Sequence, residues 1–522
     1  MKKILLSLTL LTVATWSSAQ EQPAGICGNG SQEQIEHLLP RLQANLAAIE
    51  SGASVQDRAI QYVPVHYHLV AGTDGAGRSK ETAALDNLCR LNEAYAALDI
   101  RFYMSVHSTA SYGLFNKTIN NNDVFLKQTN NFLINSRRHK NAINLYIVKE
   151  PGTSDPTPGI IVNGYYSPAN DWIVIRSTEM NGKVNGVTIP HEVGHFFSLP
   201  HTFLGWEEDP FGPDDAGWPK APATSPGGNP TERVNGTNCT TAADRICDTP
   251  PDYNFGLEDT DNNCKYEGSG GVFAQDPLGV VVDPMEENFM SYFNGCAPFV
   301  FTNQQKAIML ADRNASDRNY LDNTFVPAST DITTPTDLLI APASLAYVQY
   351  SNVVLEWKPV AGATYYLLDI DFTSIYGSAQ AQTMIVTGTS QTFTNLLNNK
   401  KYFWRVRPFN EYVTCAPPRV GVFNTATSST ENIKGLTAMQ ISPNPLSDSD
   451  FARLTISTET GFEASVRIFN AEGRQVSAQE GLTFGQGNTT LELSLAGLPN
   501  GFYFVALQNG QGQTMRKLAI AR

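Results

Sequence analysis

The sequence predicts an α/β domain followed by two all-β sandwich domains. Residues 338–426 and 439–522 each contain short segments in which polar and apolar residues alternate, the pattern of half-buried strands in a sandwich. The chain has 522 residues, too many for one ordinary domain, and its 41% apolar residues suffice for several hydrophobic cores. The assignment of the first domain, residues 59–325, rests on motifs given below.

The N-terminus, residues 1–19, has the composition of a secretory signal peptide. Lys2 and Lys3 precede the apolar run ILLSLTLLTVATW, and the small residues up to Ala19 suit a cleavage site. The run is short for a bilayer span, and no other uninterrupted apolar segment approaches ~20 residues. We therefore expect an exported protein, extracellular or on the cell surface, without a transmembrane anchor.

The charge of the chain disfavours nucleic acid as a partner. The formal net charge is −14 and the pI is near 5.1. No basic segment is long enough to provide a positive surface for phosphates. We therefore expect no nucleic-acid-binding activity.

Three of the eight histidines lie in the stretch TIPHEVGHFFSLPHTF, residues 188–203. His191 and His195 are four residues apart, so on a helix both imidazoles lie on one face. Pro200 predicts that the chain has left the helix before His201, which can then turn back towards the same ion. Three unrelated core or surface histidines are the alternative, and the rarity of histidine here disfavours it.

The same stretch matches the H-E-x-x-H pattern of zinc enzymes. Zinc suits three neutral imidazoles and one open position for water. Glu192 is then the general base, which takes a proton from the water and passes it to the leaving amine. The pattern therefore predicts a zinc site with a proton-transferring carboxylate.

Several motifs in order resemble those of one protease family. HEVGHFFSLPH resembles the metzincin signature H-E-x-x-H-x-x-G-x-x-H, and NFMSYF resembles the Met-turn, with Met290 beneath the metal. With HTF, ICDTPPD and LNEAYAALDIRF, residues 60–320 look like the pappalysin, or cytophagalysin, branch. The resemblance implies a metzincin fold, in which a twisted sheet and the zinc-binding helix lie above a loop-rich lower half tied by disulfides.

The resemblance also has consequences for single residues. Tyr292 is expected to ligate zinc in the resting enzyme or to donate a hydrogen bond to the oxyanion. The family's glycine is Ser198 here, and a serine in the left-handed turn that frees the third histidine costs roughly 1–2 kcal/mol. Some relatives have a carboxylate just after the Met-turn tyrosine, which favours basic substrates. Residues 293–295 contain none, so no such preference is predicted.

The region after the histidines is expected to be held by disulfides and by calcium. Four clustered cysteines allow three pairings, among which the sequence does not choose: Cys239, Cys247, Cys264 and Cys296. The resemblance suggests structural calcium around Asp244, Asp248 and Thr249, whose hard oxygen atoms suit that ion.

Residues 20–58 are predicted to be a pro-segment. The pair Cys27-Gly28 matches the Cys-Gly pair of latent family members, whose thiolate occupies the open position on zinc. A terminal cysteine that pairs elsewhere is the alternative. Cleavage near Arg58 would release the mature enzyme. His66 and His68, on the strand-like segment that follows, are interpreted as ordinary strand residues rather than ligands.

The C-terminal half is interpreted as accessory. After a Thr/Pro-rich linker, residues 338–426 resemble a fibronectin type III sandwich with a core that includes Trp357 and Trp404. Residues 439–522 resemble the C-terminal sorting domain of the type IX secretion system, by ISPNP, LPNGFYFV and the basic end RKLAIAR. That resemblance implies passage through the periplasm and then across the outer membrane by the type IX machinery.

Together these observations predict a secreted zinc endopeptidase that acts on proteins or peptides and is made as a latent zymogen. The alternative is a secreted adhesion or binding protein in which the metzincin module is inactive. Glu192 favours the enzyme, because a binding scaffold needs no proton shuttle. A zinc amidase with a non-protein substrate shares the site chemistry and stays open as a third hypothesis.

Overall fold

The computed structural model describes residues 26–27, 32–52, 60–107, 109–126, 130–152, 161–181, 187–257, 263–426, 433–509 and 512–522. The expected signal peptide and the expected processing site near Arg58 lie outside these ranges. The chain divides into two compact units, Met1–Phe325 and Val326–Arg522.

The first unit is built on one mixed sheet. Its strands are β1 (Ile26–Cys27), β2 (Gln61–Leu69), β3 (Ile100–Met104), β4 (Phe115–Asn116), β5 (Ile143–Val148), β6 (Val162–Ser167) and β7 (Trp172–Arg176). The order is β1-β6-β7-β5-β2-β3, with β4 also on β2, and only β6 and β7 run antiparallel. The apolar run of β5 is buried throughout, as parallel strands covered on both faces require.

Six α-helices accompany this sheet in the described residues. They are α1 (Gln32–Glu50), α2 (Glu81–Ala94), α3 (Asn122–Leu126), α4 (Asn131–Arg137), α5 (Thr188–Phe196) and α6 (Asn303–Arg313). Short 3₁₀ helices span Ser177–Asn181, Phe255–Leu257 and Ser316–Leu321. A capping box of Thr302 and Gln305 satisfies the first amides of α6. The two histidines of the H-E-x-x-H pattern lie on α5, which packs on β6 and β7.

Between α5 and α6 the described chain has little regular structure beyond one 3₁₀ helix. An aromatic core that includes Phe203, Trp206 and Tyr253 fills this region. Disulfides join Cys239 to Cys247 and Cys264 to Cys296, which decides among the three pairings. A sheet-and-helix half and a loop-rich half are thus both present, as expected.

The second unit consists of β-strands. Its N-terminal part has β8 (Leu339–Ala341), β9 (Tyr347–Gln349), β10 (Val353–Trp357), β11 (Tyr365–Asp371), β12 (Gln382–Val386), β13 (Ser390–Phe393), β14 (Lys401–Phe409) and β15 (Arg419–Ala426). They form sheets β13-β10-β8 and β12-β11-β14-β15-β9, around a core that contains Trp357 and Trp404.

The C-terminal part has its own core and two further sheets. Its strands are β16 (Leu436–Ser442), β17 (Phe451–Thr458), β18 (Phe462–Asn470), β19 (Gln475–Phe484), β20 (Gly487–Ser494), β21 (Gly501–Gln508) and β22 (Gln513–Ile520). The sheets are β16-β17-β20 and β19-β18-β21-β22, and their inward side chains form one cluster. Among the described helices of the whole chain, none combines the length and apolar character that a bilayer span requires.

Candidate active site

Three imidazoles converge at the C-terminal end of α5. The Nε2 atom of His195 lies 3.1 Å from Nε2 of His191 and 3.2 Å from Nε2 of His201. Ligands about 2.0–2.1 Å from a tetrahedral zinc ion are separated by roughly 3.3 Å. The three nitrogen atoms therefore have the spacing that one such ion requires.

Backbone oxygens set the tautomer of the two helical histidines. His191 Nδ1 lies 2.6 Å from the carbonyl of Phe289, and His195 Nδ1 lies 2.7 Å from that of Leu199. A carbonyl only accepts, so each Nδ1 carries the proton and each Nε2 presents a lone pair. Burial and the neighbouring His201 lower the pKa of His191 to about 3 and that of His195 well below its usual range. Both rings are therefore neutral at pH 7, as metal ligands must be.

Beside the Nδ1 atom of His201 there is a carboxylate rather than a backbone carbonyl. Its Nδ1 lies 3.5 Å from Oε1 of Glu207, whose Oε2 accepts a 2.6 Å hydrogen bond from the amide of Gly205. A carboxylate behind a ligating histidine orients the ring and raises its basicity. The sequence analysis missed Glu207, because nothing in the spacing distinguishes it from the acidic residues that follow.

Glu192 is fully buried on the same helix as the first two histidines and faces β6. A Cβ atom added at Gly164 of β6 would lie 3.2 Å from Glu192 Oε1 and 3.1 Å from the carbonyl of Val174. The absence of a side chain at Gly164 thus leaves room for this carboxylate, and the sequence analysis did not single that glycine out.

The turn from α5 to His201 passes through Ser198 in the left-handed conformation, with φ 66°. The amides of Ser198 and Leu199 close the helix by donating to the carbonyls of His195 and Gly194, at 2.9 and 3.0 Å. Ser198 therefore occupies the position that glycine has in the family signature, and the chain turns there as expected.

Met290 packs against α5, the helix that carries His191 and His195. It is fully buried, and a Cβ atom added at Gly194 of α5 would lie only 2.5 Å from its sulfur. The side chain of Asn288 accepts a 2.9 Å hydrogen bond from the Met290 amide, and Met290 O accepts one of 3.2 Å from Thr202. The glycine within the H-E-x-x-H motif is thus needed for this close approach.

Tyr292 lies beside the third histidine. Its hydroxyl is 3.4 Å from Nε2 of His201, accepts a 3.0 Å hydrogen bond from Cys27 N and donates one of 3.0 Å to Cys27 O. Burial, followed by the nearby Cys27, raises the pKa of Tyr292 well above its usual range. The phenol therefore keeps its proton and acts as a donor.

The sulfur of Cys27 lies beside the three histidines. It is buried, is not part of a disulfide, and its sulfur lies within 4.8 Å of the ligand nitrogens of His191, His195 and His201. It belongs to β1, which pairs in parallel with the outer side of β6. Cys27 therefore occupies the sheet edge next to the histidines.

Helix α1 of the predicted pro-segment contacts the same region through an ionic network. Arg41 Nε lies 2.6 Å from buried Asp312 of α6. Asn45 Nδ2 donates to Asp312 at 3.0 Å and to the hydroxyl of Ser198 at 2.8 Å. Asp312 also binds Arg318 at 2.9 Å, and Arg318 donates to the last carbonyl of α5. The sequence analysis missed this network.

The residues expected to bind calcium separate into two groups. Asp244 is fully buried and accepts a 2.8 Å hydrogen bond from Thr249. Asp248 instead accepts from Thr302 Oγ1 at 2.6 Å and from the amide of Gln304 at 2.8 Å, at the start of α6. Asp248 thus accepts hydrogen bonds at the N-terminal end of α6.

A second buried acid lies near Asp244. Oε2 of Glu232 has no hydrogen-bond partner among the described residues. Burial, with Asp244 and Asp252 adding negative charge, raises the pKa of Glu232 to about 10. Glu232 was not among the predicted calcium residues.

A cleft of about 640 Å³, including its open mouth, is lined by His191 and Tyr292. Its lining includes Glu179, Thr188, Leu257 and Asn294 in addition to Glu192. Oε2 of Glu179 accepts a 2.9 Å hydrogen bond from Thr188, and burial raises the pKa of this carboxyl. The cleft therefore has an acidic group that the sequence analysis did not find.

Separate parts of the chain are similar to known proteins. The family model of the secretion system C-terminal sorting domain matches residues 440–521, which confirms the sorting domain predicted there. A promirolysin mutant of Tannerella forsythia has 17% identity and a TM-score of 0.34, over 57% of this chain and 97% of that chain.

Two curated relatives are extracellular metalloproteases. The protein of Sordaria macrospora is 27% identical over 197 residues, 34% of this chain and 64% of that protein, so slightly less than two thirds of its length is spanned. The protein of Colletotrichum graminicola is 32% identical over 221 residues, 38% of this chain and 73% of that protein. Its metalloprotease relatives imply that the chain uses a metal, and at this identity and coverage the chain belongs to the extracellular metalloproteases.

Proposed function

We propose that the chain is a secreted zinc endopeptidase of the metzincin class, in its pappalysin branch, and that it is made as a latent zymogen. One observation carries this proposal: three Nε2 atoms converge at 3.1 and 3.2 Å spacing, beside a buried glutamate on the same helix. His191, His195 and His201 would hold the ion. Bound zinc would polarise the scissile carbonyl and lower the pKa of a coordinated water to about 7.

Glu192 is the general base in this proposal. A buried carboxylate beside the histidines can take a proton from the attacking water and later deliver it to the leaving amine. Gly164 supports this role, because a larger residue there would contact Glu192. Removal of the carboxylate alone should leave the three ligands in place.

Tyr292 donates a hydrogen bond to the developing oxyanion once the pro-segment has left. Its hydroxyl lies 3.4 Å from Nε2 of His201, and its raised pKa keeps the phenol protonated. A donor already held in place when negative charge develops is among the larger contributions to catalysis in acyl transfer.

The substrate chain binds along the edge of β6. In the latent form Ile26–Cys27 pair with this edge, so the position is compatible with an added strand. Removal of the pro-segment exposes the backbone groups of β6 and the cleft lined by Glu179. The substrates are therefore proteins or peptides with an extended segment.

Latency rests on two contacts of the pro-segment. The Cys27 thiolate is the ligand that blocks the open metal position, a role for which soft sulfur is suited. Helix α1, through Arg41 and Asn45, anchors the segment to Asp312. Activation then requires cleavage before β2 and departure of α1.

A structural calcium ion near Asp244 and Thr249 belongs to the same proposal. Asp244 is fully buried beside Glu232, and a divalent cation would stabilise the ionised form of both carboxyl groups. The sorting domain at residues 440–521 supports export by the type IX machinery through the periplasm.

The test compares the chain that starts after Ala19 with a form that lacks residues 20–58, using denatured casein as substrate. We expect the shorter form to cleave casein, and a chelator to abolish that cleavage. Glu192→Ala should retain one zinc ion per chain while cleavage falls at least about 100-fold. Glu208→Ala changes an exposed carboxylate nearby and serves as the matched control.

Two outcomes would contradict the proposal. Substantial cleavage by Glu192→Ala would remove the general base. Bound zinc without cleavage, even after removal of residues 20–58, would favour the adhesion hypothesis or a non-protein amide substrate.

A further inference from the structure

A second group of histidines lies on the same sheet, apart from the candidate metal centre. His66 and His68 are on β2, His107 follows β3, and His139 lies between α4 and β5. The ring centroid of His66 is 4.9 Å from that of His68, 5.3 Å from that of His107 and 5.4 Å from that of His139. The chain has eight histidines, so only His37 belongs to neither group.

Two of these rings each accept a hydrogen bond from the backbone amide two residues further along the chain. The amide of Thr109 donates to Nδ1 of His107 at 2.9 Å, and the amide of Asn141 donates to Nδ1 of His139 at 3.1 Å. An accepting nitrogen carries a lone pair, so both rings are neutral with the proton on Nε2. Each of these hydrogen bonds therefore depends on an imidazole lone pair that protonation would remove.

His68 is held in the same state by two amide side chains. Its Nδ1 accepts from Asn116 Nδ2 at 2.9 Å, and its Nε2 donates to Asn144 Oδ1 at 3.0 Å. The orientation of Asn144 follows from its Nδ2, which donates to two backbone carbonyls at 2.9 Å. His68 also stacks on Tyr146 with a centroid distance of 4.1 Å. Protonation would break the bond from Asn116.

His66 differs from the other three rings. Its Nδ1 lies 2.9 Å from the carbonyl of Ser105 and so donates, which leaves the lone pair on Nε2. That Nε2 is buried and has no hydrogen-bond partner among the described residues. The nitrogen atoms of the four rings do not converge on one point as those of the metal centre do. The group is thus arranged as neutral imidazoles rather than as a metal site.

The surroundings offer no negative charge to stabilise a proton. The titratable and charged groups next to the rings are Tyr112, Arg137, Arg138, Lys140 and Tyr146. The carboxylate of Asp171 lies 3.3 Å from Arg138 and 2.6 Å from Arg318, so Arg138 is paired away from the rings. Among the described contacts of the four rings there is no carboxylate. A proton added to one of these rings is therefore destabilised by the positive charges around it.

We propose that His66, His68, His107 and His139 form an acid-sensitive latch, which holds the backbone at Thr109 and at Asn141 beside β2 at neutral pH and releases it in acid. This histidine latch is independent of the metal chemistry. It makes the sheet of an exported protein responsive to the acidity of its surroundings.

The direction of the pH effect follows from the pKa values. Burial, with the neighbouring imidazoles, lowers the pKa of His66 from 6.5 to about 3. Burial likewise lowers the pKa of His68, His107 and His139. The released rings return to the ordinary value, so below about pH 6.5 the open state binds more protons. The latch is therefore closed above that pH and weakens as the pH falls, by up to about tenfold per pH unit for each ring.

The test uses hydrogen exchange of the full metal-loaded chain between pH 7.5 and 5, corrected for intrinsic exchange rates. In the wild type, protection of the Thr109 and Asn141 amides should fall by about tenfold or more, while residues 188–203 stay protected. The double variant His107→Asn, His139→Asn keeps an acceptor for both amides, because asparagine oxygen accepts from the amide two residues on, as Asn116 does from Thr118 at 3.0 Å. Its protection should persist at pH 5.

His37→Asn, at an exposed position on α1, is the control and should behave like the wild type. Equal loss of protection in the double variant and the wild type, or no loss in the wild type, would overturn the latch. A second zinc ion per chain that the double variant loses would also overturn it, because the rings would then be ligands. If the double variant does not fold, nitrogen chemical shifts of the wild-type rings decide. At pH 7.5 three rings should be protonated on Nε2 and His66 on Nδ1, and any other pattern contradicts the latch.

Discussion

The hydroxyl of Tyr292 forms two hydrogen bonds, each of 3.0 Å, with the backbone of Cys27. One is donated by the Cys27 amide and the other is accepted by the Cys27 carbonyl. The proposed oxyanion donor is therefore occupied by the same residue whose thiol faces the histidines. In the proposed latent form, inhibition would thus involve the backbone of Cys27 as well as its sulfur.

Replacement of Cys27 by alanine should give partial activity before any cleavage of the pro-segment. The substitution removes the thiolate but leaves both backbone bonds to Tyr292 and the anchor of α1. Casein cleavage by the uncleaved Cys27→Ala chain measures this, with the form lacking residues 20–58 as the upper limit. Unchanged latency would show that the thiol is not the inhibitory group.

Replacement of Asn45 by alanine should weaken the pro-segment. Asn45 bonds to buried Asp312 and to Ser198, and a hydrogen bond to a charged group contributes about 1.5–3 kcal/mol. A peptide of residues 20–52 with Asn45→Ala should therefore inhibit the shortened enzyme roughly 10- to 150-fold less well than the native peptide. Gln43→Ala, on the exposed side of α1, is the control and should inhibit normally.

Replacement of Tyr292 by phenylalanine in the shortened enzyme should lower kcat with little change in KM. Loss of one oxyanion donor costs about 10²–10³ in kcat when that donor acts in the transition state. Zinc content should stay at one per chain, because three histidines remain. A fall in zinc content instead would indicate that the phenol is mainly a ligand.

Replacement of Glu179 by glutamine should change substrate preference. A carboxylate in the cleft favours peptides that place Arg or Lys there, and burial raises the pKa of this carboxyl. Cleavage of a peptide library by the two forms measures the effect. Identical preferences would mean that Glu179 does not contact the substrate side chain that determines specificity. The proposed roles of zinc and Glu192 do not depend on this result.

Removal of calcium should lower the thermal stability of the enzyme. A ligand bound only to the native state stabilises it by about 2.7 kcal/mol at a hundredfold excess over Kd. A calcium-selective chelator, with zinc supplied again, should therefore reduce Tm, and Asp244→Asn should remove that response. Asp283→Asn, at an exposed position, should retain it. If the Tm of the parent chain does not change when calcium is removed, the proposed calcium site is wrong.

The geometry of the histidine centre could be predicted because most of it is local. The spacing of His191 and His195 determines that both lie on one helical face, and Pro200 indicated the exit from the helix. The left-handed conformation of Ser198 follows from its place in that turn. These relationships span few residues, so a pattern in the sequence is enough to state them.

The rest depends on contacts between distant segments. Asn45 and Ser198 are 153 residues apart, and Asp248 meets Thr302 across 54 residues. The cysteine pairing was left open for the same reason. The four rings of the histidine latch come from three separate segments of the chain. The sequence around His66 and His68 therefore indicated only ordinary strand residues. The periodic pattern of apolar residues in a sequence carries no information about contacts between such distant segments.

The bond between His191 Nδ1 and the carbonyl of Phe289 joins residues that are 98 positions apart. In an unfolded chain nothing selects the tautomer of that ring, because the Phe289 carbonyl is not yet beside it. High metal affinity is thus acquired late, when the two halves of the first unit have come together. An unfolded chain is consequently expected to bind the metal weakly, and metal loading is expected to follow folding of the first unit.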